Sequence, residues 1–175
     1  FSFYMIYEPA EDSYLLQKEV RKFAKGNVLD VGCGSGIQGM TALEIADSAL
    51  SVDINKDCVE YCKKKGLDAI QSDLFSNVSG KFDLIVFNPP YLPEEPLEPE
   101  DSALSTTGGK KGNEILSRFL KEVKDYLGVD GKILIVVSSL TPDVEKLIKE
   151  NGFEFKVLSQ EKIDFEMLSV YLIYE

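Results

Sequence analysis

The sequence predicts a three-layer α/β fold in which helices cover both faces of a mostly parallel, seven-stranded sheet. Short apolar segments alternate with helical segments along most of the chain, which is the pattern of a parallel sheet with crossover helices. The last two apolar segments have no helical segment between them, so we expect them to pair antiparallel near one edge. The predicted strands span residues 27–31, 49–53, 67–71, 84–87, 132–138, 153–158 and 167–174.

Capping side chains, proline and glycine mark the ends of the predicted helices. The first helix is capped by Glu11 or Asp12 and ends at Gly26. The fourth is strongly amphipathic, because its apolar residues recur at helical spacing. The second helix follows Gly36 and runs to about Ala46, and the third is capped by Asn55 and ends at Gly66. The fourth spans 115–127 and is closed by Gly128. The last helix has Thr141 as its N-cap and Pro142 in its first turn.

The length of 175 residues predicts one domain, 1–175, with an N-terminal segment and helix over 1–26 and the core over 27–175. No apolar run approaches the roughly 20 residues that span a bilayer, and the first residues lack the features of a signal peptide. Three cysteines argue against a disulfide framework and for a reducing compartment, so we expect a cytoplasmic protein. Because the first residue is Phe1 rather than Met, the sequence is compatible with a start inside a longer chain.

The charge and composition exclude several kinds of chemistry. The net charge is −11, whereas a protein that grips phosphates usually presents a basic face. The chain has no histidine, so no mechanism can use an imidazole base. Cys58 and Cys62 lie one helical turn apart, but with only one further cysteine they do not make a zinc site. We therefore predict no metal and no nucleic-acid partner.

A glycine loop follows the first predicted strand. Gly32, Gly34 and Gly36 alternate with other residues between a strand and a helix, which is typical of a nucleotide-binding loop. The same stretch contains Gly34-x-Gly36-x-x-Gly39, the dinucleotide fingerprint, with Asp53 at a suitable distance to hold ribose hydroxyls. The glycine pattern alone therefore leaves a nicotinamide-dependent enzyme open.

Carboxylates at the ends of three successive strands favour a different ligand. Asp30, Asp53 and Asp73 should meet at one edge of the sheet. Three acids suit a ligand with an ammonium, a sulfonium, a ribose diol and an adenine, and they suit a doubly charged pyrophosphate poorly. This composition predicts S-adenosyl-L-methionine. For any one of the three, a simple loop-capping role is the alternative.

The fourth predicted strand stops at Asn88-Pro89-Pro90-Tyr91. Proline cannot donate to a sheet, and the residue before a proline is held extended. The segment is therefore a stiff support for a carboxamide, two carbonyls and a ring at the sheet edge. Taken alone, it could equally be a strand that ends in a turn.

Together, the segments 28–36 and 88–91 make the chain resemble the class I S-adenosylmethionine-dependent methyltransferases of the Asn-Pro-Pro-Tyr type, which have a Rossmann-like fold. The closer resemblance is to the HemK-like protein-glutamine N5-methyltransferases. Within them, 7–13 is similar to the opening motif of the archaeal and eukaryotic branch that modifies class I peptide-release factors. The segment 108–114 is similar to that branch's Gly-rich entry to a helix, and the resemblance extends from Tyr7 to Tyr174.

The resemblance implies a single methyltransferase domain that methylates N5 of a glutamine in a protein, the glutamine of the Gly-Gly-Gln motif of a class I release factor. The cofactor would be S-adenosyl-L-methionine, with S-adenosyl-L-homocysteine as product. It implies Asp30 and Gly32 at the methionine part, Asp53 at the ribose, and Asp73 and Leu74 at the adenine. The remaining implied cofactor contacts are Ser13, Gly34 and Asn88, and the implied glutamine-binding residues are Asn88, Pro89, Pro90, Tyr91 and Leu92.

The chemistry of an amide substrate points to the same residues. An amide nitrogen is a poor nucleophile because its lone pair is delocalised into the carbonyl. The side-chain oxygen of Asn88 and the backbone oxygen of Pro89 can each accept one hydrogen bond from the target NH₂ group, which orients its nitrogen and favours the charge it gains. Tyr91 can pack on the planar amide. No base is strictly needed, because a protonated, alkylated amide is a strong acid.

Other substrates share this chemistry. The exocyclic N6 of adenine and N2 of guanine are planar and conjugated like an amide, so the Asn-Pro-Pro-Tyr segment alone does not separate protein from nucleic acid. The net charge of −11 opposes a polyanion. Protein lysine and a non-enzymatic scaffold are further alternatives, and the scaffold requires that Asn88 be idle.

A partner and a long loop complete the expectations. The archaeal and eukaryotic enzymes that this chain resembles work with a small zinc-binding activator. The third strand should lie at a sheet edge with Leu67, Ala69 and Ile70 partly exposed, and strand addition there would seat the activator. The loop 92–112 is long enough for a lid. Its acidic part, 93–101, would either attract a basic substrate or keep the loop solvated.

Overall fold

The computed structural model describes residues 6–90 and 112–175. Within them a single seven-stranded sheet has the order β3-β2-β1-β4-β5-β7-β6. The strands are β1 Asn27–Val31, β2 Ser48–Asp53, β3 Asp68–Gln71, β4 Phe82–Phe87, β5 Leu127–Ser138, β6 Glu154–Ile163 and β7 Glu166–Tyr174. The helices are α1 Glu11–Phe23, α2 Ile37–Leu43, α3 Lys56–Lys64, α4 Glu114–Glu122 and α5 Val144–Glu150, with a 3₁₀ turn at Val123–Tyr126.

Strand directions confirm the predicted fold class. β1 pairs in parallel with β2 and β4, β3 pairs in parallel with β2, and β5 pairs in parallel with β4. β7 runs antiparallel to both β5 and β6, so it is the reversed strand near the edge that the sequence predicts. The carboxyl ends of β1 to β5 therefore lie along one edge of the sheet, where ligands of open α/β sheets bind.

Two apolar layers lie on opposite faces of the sheet. Leu29 packs with α4 and α5, whereas its neighbour Val28 packs with α1 and α2, as the alternation of side chains along a strand requires. The central strand β4 is buried on both faces, and Leu84, Ile85 and Val86 have no exposed surface. This explains its continuous apolar sequence.

Several predicted helix boundaries are wrong. Ala10 precedes α1, and neither Glu11 nor Asp12 caps it; both lie in its first turn. The fourth α-helix ends at Glu122, because the chain tightens into a 3₁₀ turn over Val123–Tyr126; Leu127 already pairs with Phe82 and belongs to β5. The last helix begins after Asp143, since the backbone N–H of Thr141 donates to Ser138 O in a turn that precedes it.

Other boundaries are confirmed or nearly so. The side chain of Asn55 accepts a hydrogen bond from the backbone N–H of Asp57, so it caps α3 as predicted. The second helix ends at Leu43, although one more turn follows, in which Ala46 N–H donates to Ala42 O. No helix in the described part of the chain is both long and apolar enough to cross a membrane.

The start of α2 is packed closely against α3 and β3. Gly36 has a φ of +83°, and a Cβ atom there would lie 2.7 Å from Leu67 Cδ1 and 3.0 Å from Cys62 Sγ. Gly66 has a similar φ of +87°, but no atom of a more distant described residue lies within 4 Å of its Cβ position. The two glycines therefore share a backbone conformation and differ in packing.

We expect Gly36→Ala to destabilise the protein more than Gly66→Ala. Both changes force an alanine into the left-handed region, at roughly 1–2 kcal/mol. Only Gly36→Ala also overpacks the glycine loop, which adds about 1–3 kcal/mol. Urea unfolding of both variants measures the difference, and equal losses of unfolding free energy would contradict the packing argument.

Candidate functional site

The predicted site residues within the described chain come from one edge of the sheet and from the start of α1. The loop 32–36 follows β1, Asp53 ends β2, and Asp73 and the segment 88–90 follow β3 and β4. Because these four strands are neighbours and parallel, their following loops are adjacent. Tyr91, Leu92 and the loop 92–111 with its acidic part lie outside the described residues.

Backbone hydrogen bonds fix the glycine loop on the end of β2. The N–H groups of Gly32 and Cys33 both donate to Val52 O, at 2.8 and 2.9 Å. Gly32 and Gly34 have φ values of +70° and +51°, which a residue with a side chain rarely adopts. A Cβ at Gly32 would lie 3.7 Å from the ring of Phe87, so the loop also passes close to the end of β4.

Asp53 caps this loop. Its Oδ2 accepts from Gly34 N–H at 3.0 Å, and its Oδ1 accepts from Asn55 N–H at 2.9 Å. Burial raises the pKa of Asp53, and these backbone donors oppose that shift. Asp53 is therefore the loop-capping acid that the sequence left as an alternative. Each carboxylate oxygen has a second lone pair, so the predicted contact with a ribose stays chemically open.

Asp30 is the buried acid of the site. It is 2% exposed, and the backbone N–H of Gly39 lies near its carboxylate. Its Oδ2 has no hydrogen-bond partner among residues 6–90 and 112–175. Burial raises the pKa of Asp30 well above its ordinary value, and the neighbouring Cys62 and Asp53 raise it further. A buried, unpaired carboxylate oxygen is costly, and a cationic group beside it would remove that cost.

Asp73 differs from the other two acids because its carboxylate is about half exposed. Its Oδ1 lies 3.2 Å from Nη2 of Arg118 on α4. Its backbone N–H donates to Ser76 Oγ, and the next residue, Leu74, is buried with a φ of +50°. The structure thus places Asp73 and Leu74 after β3 as predicted, but Asp73 already has a cationic partner. Their contact with an adenine stays a prediction.

Asn88 is held by a carboxylate from the N-terminal segment. Its Nδ2 donates to Asp12 Oδ2 at 2.9 Å. The hydroxyl of Tyr7 lies 2.9 Å from Oδ1 and 3.1 Å from Oδ2 of Asp12. Asn88 is half-buried and Pro89 is buried, so β4 presents them at the rim rather than in open solvent.

Sequence analysis predicted only a capping role for Asp12 and so missed this contact. One signal was available, because Asp12 shares a helical face with Leu15, Leu16 and Glu19, a face that is buried. An acid on an apolar helical face needs a partner. The partner could not be named, since Asn88 lies 76 positions further along the chain.

The N-terminal segment is also fastened to α2. Nε2 of Gln38 donates to the backbone oxygen of Ser13 at 2.9 Å, and Nε2 of Gln17 donates to Thr41 Oγ1 at 2.9 Å. Ser13 is buried, and its Oγ accepts from Ala10 N–H at 3.3 Å. The first turn of α1 therefore bridges the glycine-loop helix and the end of β4. The predicted reach of Ser13 to a cofactor remains a prediction.

We expect the two acids with raised pKa values, Asp30 and Asp53, to make the unliganded protein less stable as the pH rises. Above the ordinary carboxyl pKa of 3.8, the folded protein holds a proton on Asp30 that the unfolded chain releases. The free energy of unfolding should therefore fall until the pH passes the raised pKa. In Asp30→Asn the free energy of unfolding should fall less steeply with pH, by up to about 1.4 kcal/mol per pH unit.

Urea unfolding at a series of pH values measures this slope. Asp68→Asn, at an exposed position on β3, is the matched surface control. An unchanged slope in Asp30→Asn would show that the buried carboxyl of Asp30 is not the group that titrates. Asp53→Asn reports the contribution of the half-buried Asp53, whose pKa is also raised.

The family model described as "Methyltransferase small domain" matches residues 9–168. A relative from Methanocaldococcus jannaschii, provisionally named a protein N5-glutamine methyltransferase, is 41% identical over 94% of this chain and 89% of its own length. The eRF1 methyltransferase catalytic subunit mtq2 of Schizosaccharomyces pombe is 28% identical over 97% of this chain and 89% of its own length.

Among solved structures, the complex of E. cuniculi Mtq2 and Trm112, described as responsible for methylation of the translation termination factor eRF1, is similar with a TM-score of 0.80. The aligned chains are 25% identical, over 97% of this chain and 98% of the other. The chain belongs to the methyltransferase small-domain family and, within it, groups with the protein N5-glutamine methyltransferases, which confirms the resemblance found in the sequence.

Proposed function

We propose that this protein transfers a methyl group from S-adenosyl-L-methionine to N5 of a protein glutamine, the Gly-Gly-Gln glutamine of a class I release factor. The observation that carries the proposal is the fixed carboxamide of Asn88 at the end of β4, on the same sheet edge as the glycine loop and the buried Asp30. The relatives named for N5-glutamine and eRF1 methylation support this substrate.

The residues at the strand ends fit the cofactor. The unpaired, buried Oδ2 of Asp30 suits the ammonium of the methionine part, and the bare backbone at Gly32 and Gly34 leaves room for close approach. Asp53 would accept from the ribose, and Asp73 and Leu74 would border the adenine. Ser13 would approach from α1. When bound, S-adenosyl-L-methionine supplies an electrophilic methyl group and leaves as S-adenosyl-L-homocysteine.

Asn88 and Pro89 would hold the target amide. The Nδ2 of Asn88 is engaged by Asp12, while its Oδ1 accepts no hydrogen bond within residues 6–90 and 112–175. Proline has no N–H, so the backbone at Pro89 offers only its carbonyl. The two oxygens can each accept one N–H of the target NH₂ group. Pro90, with Tyr91 and Leu92 beyond the described part of the chain, would complete the glutamine side of the site.

The hydrogen bonds act on the charge that develops during transfer. As the amide nitrogen is alkylated it becomes positive, and its two N–H groups donate more strongly to the oxygens of Asn88 and Pro89. The alkylated, protonated amide is a strong acid and releases one proton to solvent without a base. This agrees with a chain that contains no histidine.

A protein substrate fits the electrostatics better than a nucleic acid. The net charge of −11 repels a polyanion at long range, and association with one would be slow and weak. A lysine substrate would have to lose a proton before it could attack, whereas a glutamine amide is already neutral. A release factor as substrate would place the protein in the cytoplasm.

We expect Asn88→Ala to lower kcat for glutamine methylation by at least about 10²-fold, with the Kd for S-adenosyl-L-methionine nearly unchanged. The change removes one of two acceptors that strengthen in the transition state. Asn151→Ala is the matched control, because the Nδ2 of Asn151 donates to Leu147 O at the end of α5. Mass spectrometry counts the methyl group and calorimetry gives the Kd.

The substrate itself is tested with a class I release factor and with a variant in which the glutamine of the Gly-Gly-Gln motif is replaced. Methylation of the first and not the second supports the proposal. Methylation of DNA or RNA in place of the release factor, or retained turnover in Asn88→Ala, would overturn it. A chain that binds no S-adenosyl-L-methionine by calorimetry would favour the scaffold alternative.

A small zinc-binding activator is proposed as a partner at the outer edge of β3, the terminal strand of the described sheet. β3 is an edge strand as predicted, and the E. cuniculi relative was solved as a complex with Trm112. The expected exposure of the apolar side chains is wrong in part. Leu67 and Ala69 are 4% and 5% exposed because they pack against α3, and only Ile70 is half-buried. Strand addition would therefore depend mainly on backbone hydrogen bonds.

We expect Ile70→Lys to weaken the complex with such an activator at least tenfold, because it puts a charge at the centre of the added strand's contact. Val129→Lys is the matched control, since Val129 is 92% exposed and lies on β5, away from the β3 edge. Co-purification and calorimetry measure the affinity. Equal binding by both variants would place the partner elsewhere.

A further inference from the structure

We propose that Asp12 is a positioning residue, which fixes the side-chain amide of Asn88 so that its oxygen, and not its nitrogen, faces the target glutamine. This inference rests on the proposed function, because it specifies how the site of that reaction is prepared. Asp12 itself contacts Asn88 and Tyr7 and lies on α1. Asp12 lies outside the segment 88–92 that is expected to bind the glutamine.

The two ends of an asparagine amide have nearly the same shape, so shape alone does not decide which end faces the substrate. A carboxylate can only accept hydrogen bonds. Asp12 Oδ2, 2.9 Å from Nδ2 of Asn88, therefore fixes one of the two orientations and leaves Oδ1 as the acceptor. In the opposite orientation, two NH₂ groups would face each other, and the target amide would lose one hydrogen bond.

Asp12 is itself held in place. It is 3% exposed, and the hydroxyl of Tyr7 donates to its carboxylate, which occupies acceptor sites on both oxygens. The hydrogen bond from Gln38 to Ser13 O fastens the adjacent backbone to α2, which follows the glycine loop. The orientation of Asn88 is therefore set by the same framework that holds the glycine loop.

The test compares Asp12→Asn with Glu11→Gln. Both replace a carboxylate with an amide at adjacent positions of α1, but Glu11 is exposed. An amide at position 12 can donate as well as accept, so it no longer selects an orientation of Asn88. We expect kcat for glutamine methylation to fall at least tenfold in Asp12→Asn, with the Kd for S-adenosyl-L-methionine and the midpoint of thermal unfolding little changed. Glu11→Gln should match the wild type.

A double-mutant cycle separates positioning from a merely structural role. If Asp12 acts only through Asn88, then Asp12→Asn should have no further effect on kcat in the Asn88→Ala background. If the two losses of kcat multiply in the double variant, Asp12 acts independently of Asn88 and the proposal is overturned. Wild-type kcat in Asp12→Asn, or an equal loss in Glu11→Gln, would do the same. If Asp12→Asn fails to fold, Tyr7→Phe, which keeps the carboxylate and removes its hydroxyl donor, should give a smaller loss of kcat.

An NMR measurement tests the orientation without any assay of activity. The side-chain NH₂ signals of Asn88 are identified by their absence in Asn88→Ala. We expect their hydrogen exchange to be slowed in the wild type and in Glu11→Gln, and fast in Asp12→Asn. Signals that are the same in Asp12→Asn and the wild type would overturn the proposal. If the wild type methylates no glutamine, the proposed function fails, whereas this measurement still decides whether Asp12 holds Asn88.

Discussion

The early end of β4 is the constraint on which the site depends. β4 pairs with β5 only as far as Phe87 and Ile135, whereas β5 continues to Ser138 alongside β7. Two prolines follow Asn88 and cannot donate to a sheet, so β4 cannot extend beside its neighbour. The result is a step in the sheet edge at which the carboxamide of Asn88 lies. The ring of Phe87 stacks on Phe119 with centroids 4.4 Å apart and so anchors this strand end on α4.

The site is built at a cost in stability. Asp30 is buried and Asp53 is half-buried, both have raised pKa values, and Asp30 keeps an oxygen with no partner in the described part of the chain. Perturbed carboxyls of this kind cluster at functional sites, because a ligand can supply the charge that the fold withholds. The loop glycines point to the same conclusion, since the positive φ values of Gly32, Gly34 and Gly36 disfavour a side chain at those three positions. A cationic ligand that paired with Asp30 would restore this lost stability, and the restored free energy would contribute to its affinity.

The sequence predicted the elements of this site better than their contacts. The seven strands, the antiparallel pair and the strand-end acids follow from periodicity and turn residues. Asp12 was misread because its partner Asn88 lies 76 positions away, and only the packing of α1 across the sheet brings them together. The start of α5 was misread because Thr141 satisfies a turn with Ser138. The burial of Leu67 depends on α3, which no pattern within β3 reveals.

The same contacts explain how the site can prefer an amide. A glutamine NH₂ group is planar and has two N–H donors, so it matches two fixed acceptors in one plane better than a flexible ammonium does. The match holds only if the oxygen of Asn88 points outward, and a carboxylate behind it is the simplest group that enforces this. Pro89 and Pro90 restrict the backbone that follows Asn88, and Asp12 holds the side-chain amide of Asn88. If the proposed function is correct, selectivity for an amide would depend on the N-terminal segment as much as on the segment proposed to bind the glutamine.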